Sequence, residues 1–226
     1  MNRILYFLFI PLFFIGCKKD DSGSGNNTGT TKSASFSVTG SNFYLDQNIT
    51  FTADDQSGQN GEYNWSFGDG ATLQGNAIAK HIYTTAGAMS VKLQFGQASS
   101  AKNIRLFNGN LSYQVQNNSG FDLSSVEFFT NETGTSRDNV INLSKLSGNS
   151  KTDTLFARVT NPDLGDDHLL YIVGFINNVY FQVNIRNYLN VYNHVILPID
   201  AQTQVIFTDK HGDIVPDKLG NYISYE

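Results

Sequence analysis

The chain has 226 residues, 40% apolar and 13% aromatic, enough for one large or two small hydrophobic cores, which excludes a disordered protein. Charged residues make up 15%, the formal net charge is -5, and no basic patch offers contacts to phosphates, so the composition argues against a nucleic-acid partner. Asn, Ser, Thr, Gly and Gln are abundant and strong helix formers scarce, the balance of a β-protein with a polar, weakly charged surface.

In chain order, the first segment is a targeting signal. Arg3 precedes an apolar run from Ile4 to Ile15, too short for a comfortable membrane span and interrupted by Pro11. With Gly16-Cys17 after it, this is the pattern of a signal peptide over residues 1–16. Phe14-Ile15-Gly16-Cys17 resembles a bacterial lipobox, which implies that Cys17 is acylated and becomes the mature N-terminus. Cys17 is the only cysteine, so no intrachain disulfide can form. Acyl chains bury methylenes at about 0.8 kcal/mol each, so a two- or three-chain anchor is effectively permanent. Lys18-Lys19-Asp20-Asp21 resembles the short export signal of Bacteroidetes surface lipoproteins, which places the expected site at the outer face of the outer membrane. Residues 17–33 then read as lipidated Cys and tether, because Ser22 to Ser33 is almost wholly Ser, Gly, Asn and Thr.

A first β-domain is expected over residues 34–107. Phe36-Ser37-Val38 and Ile49-Thr50-Phe51-Thr52 alternate like strands, and a polar loop runs from Asp54 to Gly61. In Tyr63-Asn64-Trp65-Ser66-Phe67 the pleat places three rings on one face, which must be buried. Gly68-Asp69-Gly70 supplies the turn, since Gly accepts positive φ and Asp hydrogen-bonds its own backbone. His81-Ile82-Tyr83 and the alternating Met89, Val91, Leu93 and Phe95 read as two further strands, and Asn103 to Phe107 closes the set. Tyr63, Trp65, Phe67, Gly68, Asp69, Gly70, His81 and Tyr83, in this order, resemble the motif of the PKD (polycystic kidney disease) domain. The resemblance implies an immunoglobulin-like β-sandwich, an extracellular address, a non-catalytic spacer or binding role, and a structural role for His81.

Asn108-Gly109-Asn110 reads as a junction to a second domain at residues 108–226, for which no family is recognised. Strands are expected at Leu111 to Val115, Val126 to Phe129, Val140 to Leu143, Thr154 to Val159, Leu169 to Ile176, Val179 to Ile185, His194 to Ile199, Val205 to Phe207 and Tyr222 to Tyr225. Their regular spacing predicts a second β-sandwich, so the whole chain is all-β. Asn177-Asn178 is the strongest local signal, because two Asn residues accept the positive φ of a two-residue hairpin.

The sequence shows no catalytic set: the four His residues, His81, His168, His194 and His211, are scattered, and no nucleophile-elbow, zinc-helix or phosphate-loop motif is present. No enzyme activity and no cofactor are expected. Two acidic loops, around Asp163, Asp166 and Asp167 and around Asp209 to Asp213, are weak Ca²⁺ candidates, but neither has the alternating Asp spacing of a single-segment site, and solvated turns account for both. The binding candidates are Tyr180, Gln182, Asn184 and Arg186 on the outward side of one strand, with Tyr188 and Tyr192 nearby. Aromatic faces stack on sugar C–H surfaces, and planar amides and guanidinium pair with hydroxyls. A solvent-facing strand in an Asn-rich domain presents similar residues without binding anything. The expected function is a cell-surface binding or adhesion module for a glycan, held up by the PKD-like domain. The alternative is a structural subunit of an outer-envelope assembly, with strands pairing to a protein partner.

Overall fold

A computed structural model describes residues 32–132, 135–160, 169–185 and 191–225, within one compact unit that begins at Lys32. The expected signal peptide, Cys17 and the tether up to Thr31 lie outside the described residues.

The N-terminal part forms two sheets. β1 (Phe36–Val38), β2 (Asn48–Ala53) and β5 (Ile78–Ile82) pair antiparallel in the order β1-β2-β5. β3 (Tyr63–Ser66), β4 (Thr72–Gly75), β6 (Gly87–Phe95) and β7 (Ala98–Leu106) form the second, in the order β4-β3-β6-β7. One apolar cluster draws on both sheets. Trp65 is 2% exposed, meets the Phe36 ring edge-on at 5.2 Å, and donates its indole N–H to the Asn76 carbonyl at 3.1 Å. Tyr63 stacks on Phe95 at 4.4 Å. Three strands differ from expectation. β5 starts three residues before His81 and ends before Tyr83. β4 carries no alternation of buried and exposed residues and gave no signal, and β7 starts five residues before Asn103 because its outward positions hold Ser99, Ala101 and Asn103.

The C-terminal part is also built from two sheets. β8 (Leu111–Asn117) pairs antiparallel with β11 (Ser150–Lys151) and β12 (Leu155–Ala157), and parallel with β15 (His194–Ile199). β9 (Leu123–Asn131), β10 (Asp138–Leu146), β13 (Leu169–Ile176), β14 (Val179–Ile185), β16 (Gln204–Thr208) and β17 (Ile214–Lys218) form an antiparallel sheet in the order β10-β9-β13-β14-β16-β17. Their inward residues, Tyr113, Phe128, Phe181 and Phe207 among them, make a second apolar cluster. Asn177 and Asn178 take φ of 45° and 67° and join β13 to β14 in a two-residue turn.

The strand expected at Tyr222 to Tyr225 is instead a 3-10 helix, Leu219–Tyr225. Leu219 and Tyr222 are buried three positions apart, the repeat of a 3-10 turn and not of a strand. Asp217 fixes the segment by accepting from the Asn221 amide at 2.8 Å and the Tyr225 hydroxyl at 2.7 Å. β17 lies outside the expected strands; it carries Pro216 and is an edge strand, the position that tolerates proline.

Between the two parts the chain is tightly packed. The Leu45 N–H donates to the Gly109 carbonyl at 2.9 Å, and a Cβ on Gly109 would lie 2.4 Å from the Ala157 oxygen. Asn110, 1% exposed, donates to the Val159 carbonyl at 2.7 Å and accepts from its N–H at 2.9 Å. The Tyr44 hydroxyl meets Ser112 Oγ at 2.9 Å, which also lies 2.9 Å from His194 Nδ1. Arg158 grips both carboxylate oxygens of Asp46, at 2.8 and 2.7 Å.

Candidate binding face

In the PKD-like motif, the aromatic residues and the turn are structural. The Phe67 N–H donates to the Ala71 carbonyl at 3.0 Å, Asp69 Oδ1 accepts from the Ala71 N–H at 3.0 Å, and Gly68 and Gly70 take φ of 89° and 98°. His81 Nε2 lies 2.7 Å from Asp69 Oδ2, and its ring stacks on Phe67 at 4.2 Å. Burial works to raise the Asp69 carboxyl, but the bond to His81 and the Ala71 N–H outweigh it and hold it below its ordinary range. The Tyr83 hydroxyl donates to the Phe67 carbonyl at 2.9 Å, and burial, with the Asp69 charge adding to it, pushes that phenol far up.

The outward face of the six-stranded sheet is different in character. Along β14, Val179, Phe181 and Val183 are buried while Tyr180, Gln182 and Asn184 point outward, so these three expected residues do share a face. Register adds neighbours from other strands: Tyr180 sits between Phe175 and Thr208, and Asn184 is opposite Tyr171, which is opposite Phe129. Phe129 and Tyr171 stack at 4.9 Å with rings 2° from parallel. The Arg137 guanidinium lies 4.3 Å from the Phe129 ring centre and ion-pairs with Glu127. Phe175, 38% exposed, meets Tyr180 edge-on at 5.7 Å. Burial raises the Tyr180 phenol above its ordinary range, partly offset by the Arg137 charge, so the hydroxyl remains a neutral donor and acceptor. The Gln182 amide donates to Asn184 Oδ1 at 2.7 Å. Asn131, on the same strand as Phe129, has a buried side-chain oxygen with no hydrogen-bond partner among the described residues.

At the Asn177-Asn178 end this face runs into a depression of about 700 Å³, lined by Asn177, Asn178, Tyr180, Thr208, Asp209, Lys210 and Tyr225. Asp209 accepts from the backbone N–H groups of Asp213 and His211, both at 2.8 Å. Those amides hold its carboxyl below the ordinary range, so a carboxylate and the Lys210 side chain both line the depression. Aromatic surface, planar amides, a hydroxyl and both charge signs therefore converge around Tyr180.

Other expected residues fall elsewhere. Tyr192 is not beside this face: it lies in the turn entering β15, in the other sheet, where its hydroxyl donates to the Asp46 carbonyl at 2.8 Å and its N–H to the Asn110 carbonyl at 2.5 Å. Its positive φ of 62° belongs to that turn. Arg186 and Tyr188, and the Ca²⁺ candidates Asp163, Asp166 and Asp167, lie outside the described residues. In the second acidic loop, Asp209 is engaged by its own turn. Among the described residues no cluster of metal-ligating side chains is present.

Phe129, Arg137, Tyr171 and Phe175 were not expected on the face. β13 reads as a continuous apolar run, so its pattern does not say which ring points outward. Arg137 precedes β10 and reaches Glu127 only through folding.

No curated protein matches the chain. Residues 33–107, which contain both N-terminal sheets and the Trp65 core, match the family model of the PKD domain, an immunoglobulin-like β-sandwich.

Proposed function

We propose that the protein is a non-catalytic surface lipoprotein whose C-terminal sandwich, residues 108–226, binds a glycan. In this reading residues 34–107 are the spacer, residues 17–33 the tether, and Cys17 the lipid anchor in the outer membrane facing the exterior. PKD domains are typically non-catalytic modules, often of surface or adhesion proteins, which supports the spacer role. The arrangement of Arg3, the apolar run and Gly16-Cys17 supports the anchor. The observation that carries the binding role is the convergence of Tyr180, Phe175, Asn177, Asn178, Gln182 and Asp209 at one end of one sheet. These are the groups that grip sugar rings and hydroxyls.

Exposed Ile214, at 73%, in the same register row as Tyr180, favours the second reading, a subunit that docks on an envelope protein through this sheet. A glycan array on the detergent-solubilised protein, with crosslinking of intact envelopes, separates the two. Glycan binding and a monomer support the first; no glycan binding and one stoichiometric partner support the second. Intact mass of the native protein tests the anchor, which requires mature residue Cys17 with added diacylglyceryl mass.

A further inference from the structure

The N-terminal sandwich presents a polar face of its own. The outward side of β4-β3-β6-β7 holds a shallow depression of about 860 Å³, lined in part by Asn64, Ser66, Gln74, Lys92, Gln94 and Ser99. Register aligns Gln74, Asn64, Gln94 and Ser99 in one row across all four strands. The next row carries Thr72, Ser66, Lys92 and Ala101, and further along the same face Arg105 stands opposite Ala88. The outward positions of the four strands therefore hold amides, hydroxyls and two cations, and no carboxylate, in a chain of net charge -5. Glu62, one residue before β3, is already paired with Lys32 at 2.8 Å. Neither Lys92 nor Arg105 forms an ion pair with a described residue, and both are exposed.

We propose that this face binds an anionic polysaccharide of uronate type, lying across the strands. Lys92 and Arg105 would pair with carboxylates, and the amide row would hydrogen-bond ring hydroxyls between them. The face offers no outward aromatic side chain, so stacking does not contribute; attraction to a neutral sugar is correspondingly weak, and charge decides the ligand. A basic protein would be attracted to the acid-rich remainder of the surface, whereas an anionic chain is accepted only where acids are absent.

The test is affinity electrophoresis of the full chain in gels containing polygalacturonate, with fully methyl-esterified polygalacturonate as the uncharged counterpart of the same backbone. Retardation by the acid form, weakened by salt and absent with the ester, is expected. Lys92→Gln with Arg105→Gln should weaken it about tenfold. Lys80→Gln with Lys151→Gln removes the same charge from other surfaces and should leave retardation within about twofold, and Tyr180→Ala, in the other proposed site, should leave it unchanged. Equal retardation by acid and ester, or equal loss in both charge-removal pairs, would overturn the proposal. Both pairs replace exposed side chains, so a circular-dichroism melt should remain that of the wild type.

Discussion

Gly68 shows how little freedom the turn after β3 allows. Its φ is 89°, and a Cβ there would lie 2.7 Å from the Ser90 nitrogen, so Gly68→Ala meets both backbone strain and a clash with backbone that cannot swing away. A loss of about 2–4 kcal/mol in urea unfolding is expected, close to the roughly 3–5 kcal/mol for Trp65→Ala. Asp69 has a pH signature. Its folded-state carboxyl lies below its unfolded value, so its stabilising contribution is complete above about pH 4 and is lost as pH falls through the lower, folded-state value. Asp69→Asn should therefore flatten the fall of stability below about pH 4 in an acid titration of unfolding, while a curve parallel to wild type would contradict the His81 pairing. Tyr113 runs the other way. Its hydroxyl is fully buried with no hydrogen-bond partner among the described residues, so Tyr113→Phe should raise the unfolding free energy by about 1 kcal/mol, read as a higher urea midpoint at unchanged slope.

Among the elements, the junction separates interactions that look alike by distance. Arg158 makes two short bonds to Asp46, but the side chains are 44% and 33% exposed, and an ion pair in that setting contributes under about 1 kcal/mol. Asn110 is buried, and its amide satisfies both backbone groups of Val159, so Asn110→Ala leaves a carbonyl and an N–H without partners and should cost about 2–4 kcal/mol. Calorimetry of the two variants checks the order, and a larger loss for Arg158→Ala would reverse it. The strands were legible in the sequence where one side is buried and the other wet, as in β3, β6 and β14, because burial then follows the period of the pleat. β4 escaped because both of its sides are exposed, and the Leu219–Tyr225 segment because its apolar residues recur at three. The outward rings of β13 escaped for the opposite reason, since a run apolar on both faces has no polar residues to mark the side facing water. Tyr192 was misplaced because nearness in sequence to β14 says nothing about the sheet to which the chain crosses next.

At the scale of the molecule, the rings of the PKD motif are committed to a core, while Tyr171, Phe175 and Tyr180 on the outward face of the C-terminal sheet remain partly open to solvent. Tyr180 and Phe175 stand at the border between that open surface and the depression beside Asn177, and the proposed glycan site rests on that position. The most direct measurement is isothermal titration of the full chain, wild type and Tyr180→Ala, with the strongest uncharged glycan from an array, which the cationic face of the first sandwich does not attract. Binding by the wild type that falls at least about tenfold in Tyr180→Ala, with an unchanged melting temperature, is the predicted result. Affinity that survives in Tyr180→Ala, or a wild type that binds no glycan, would contradict it.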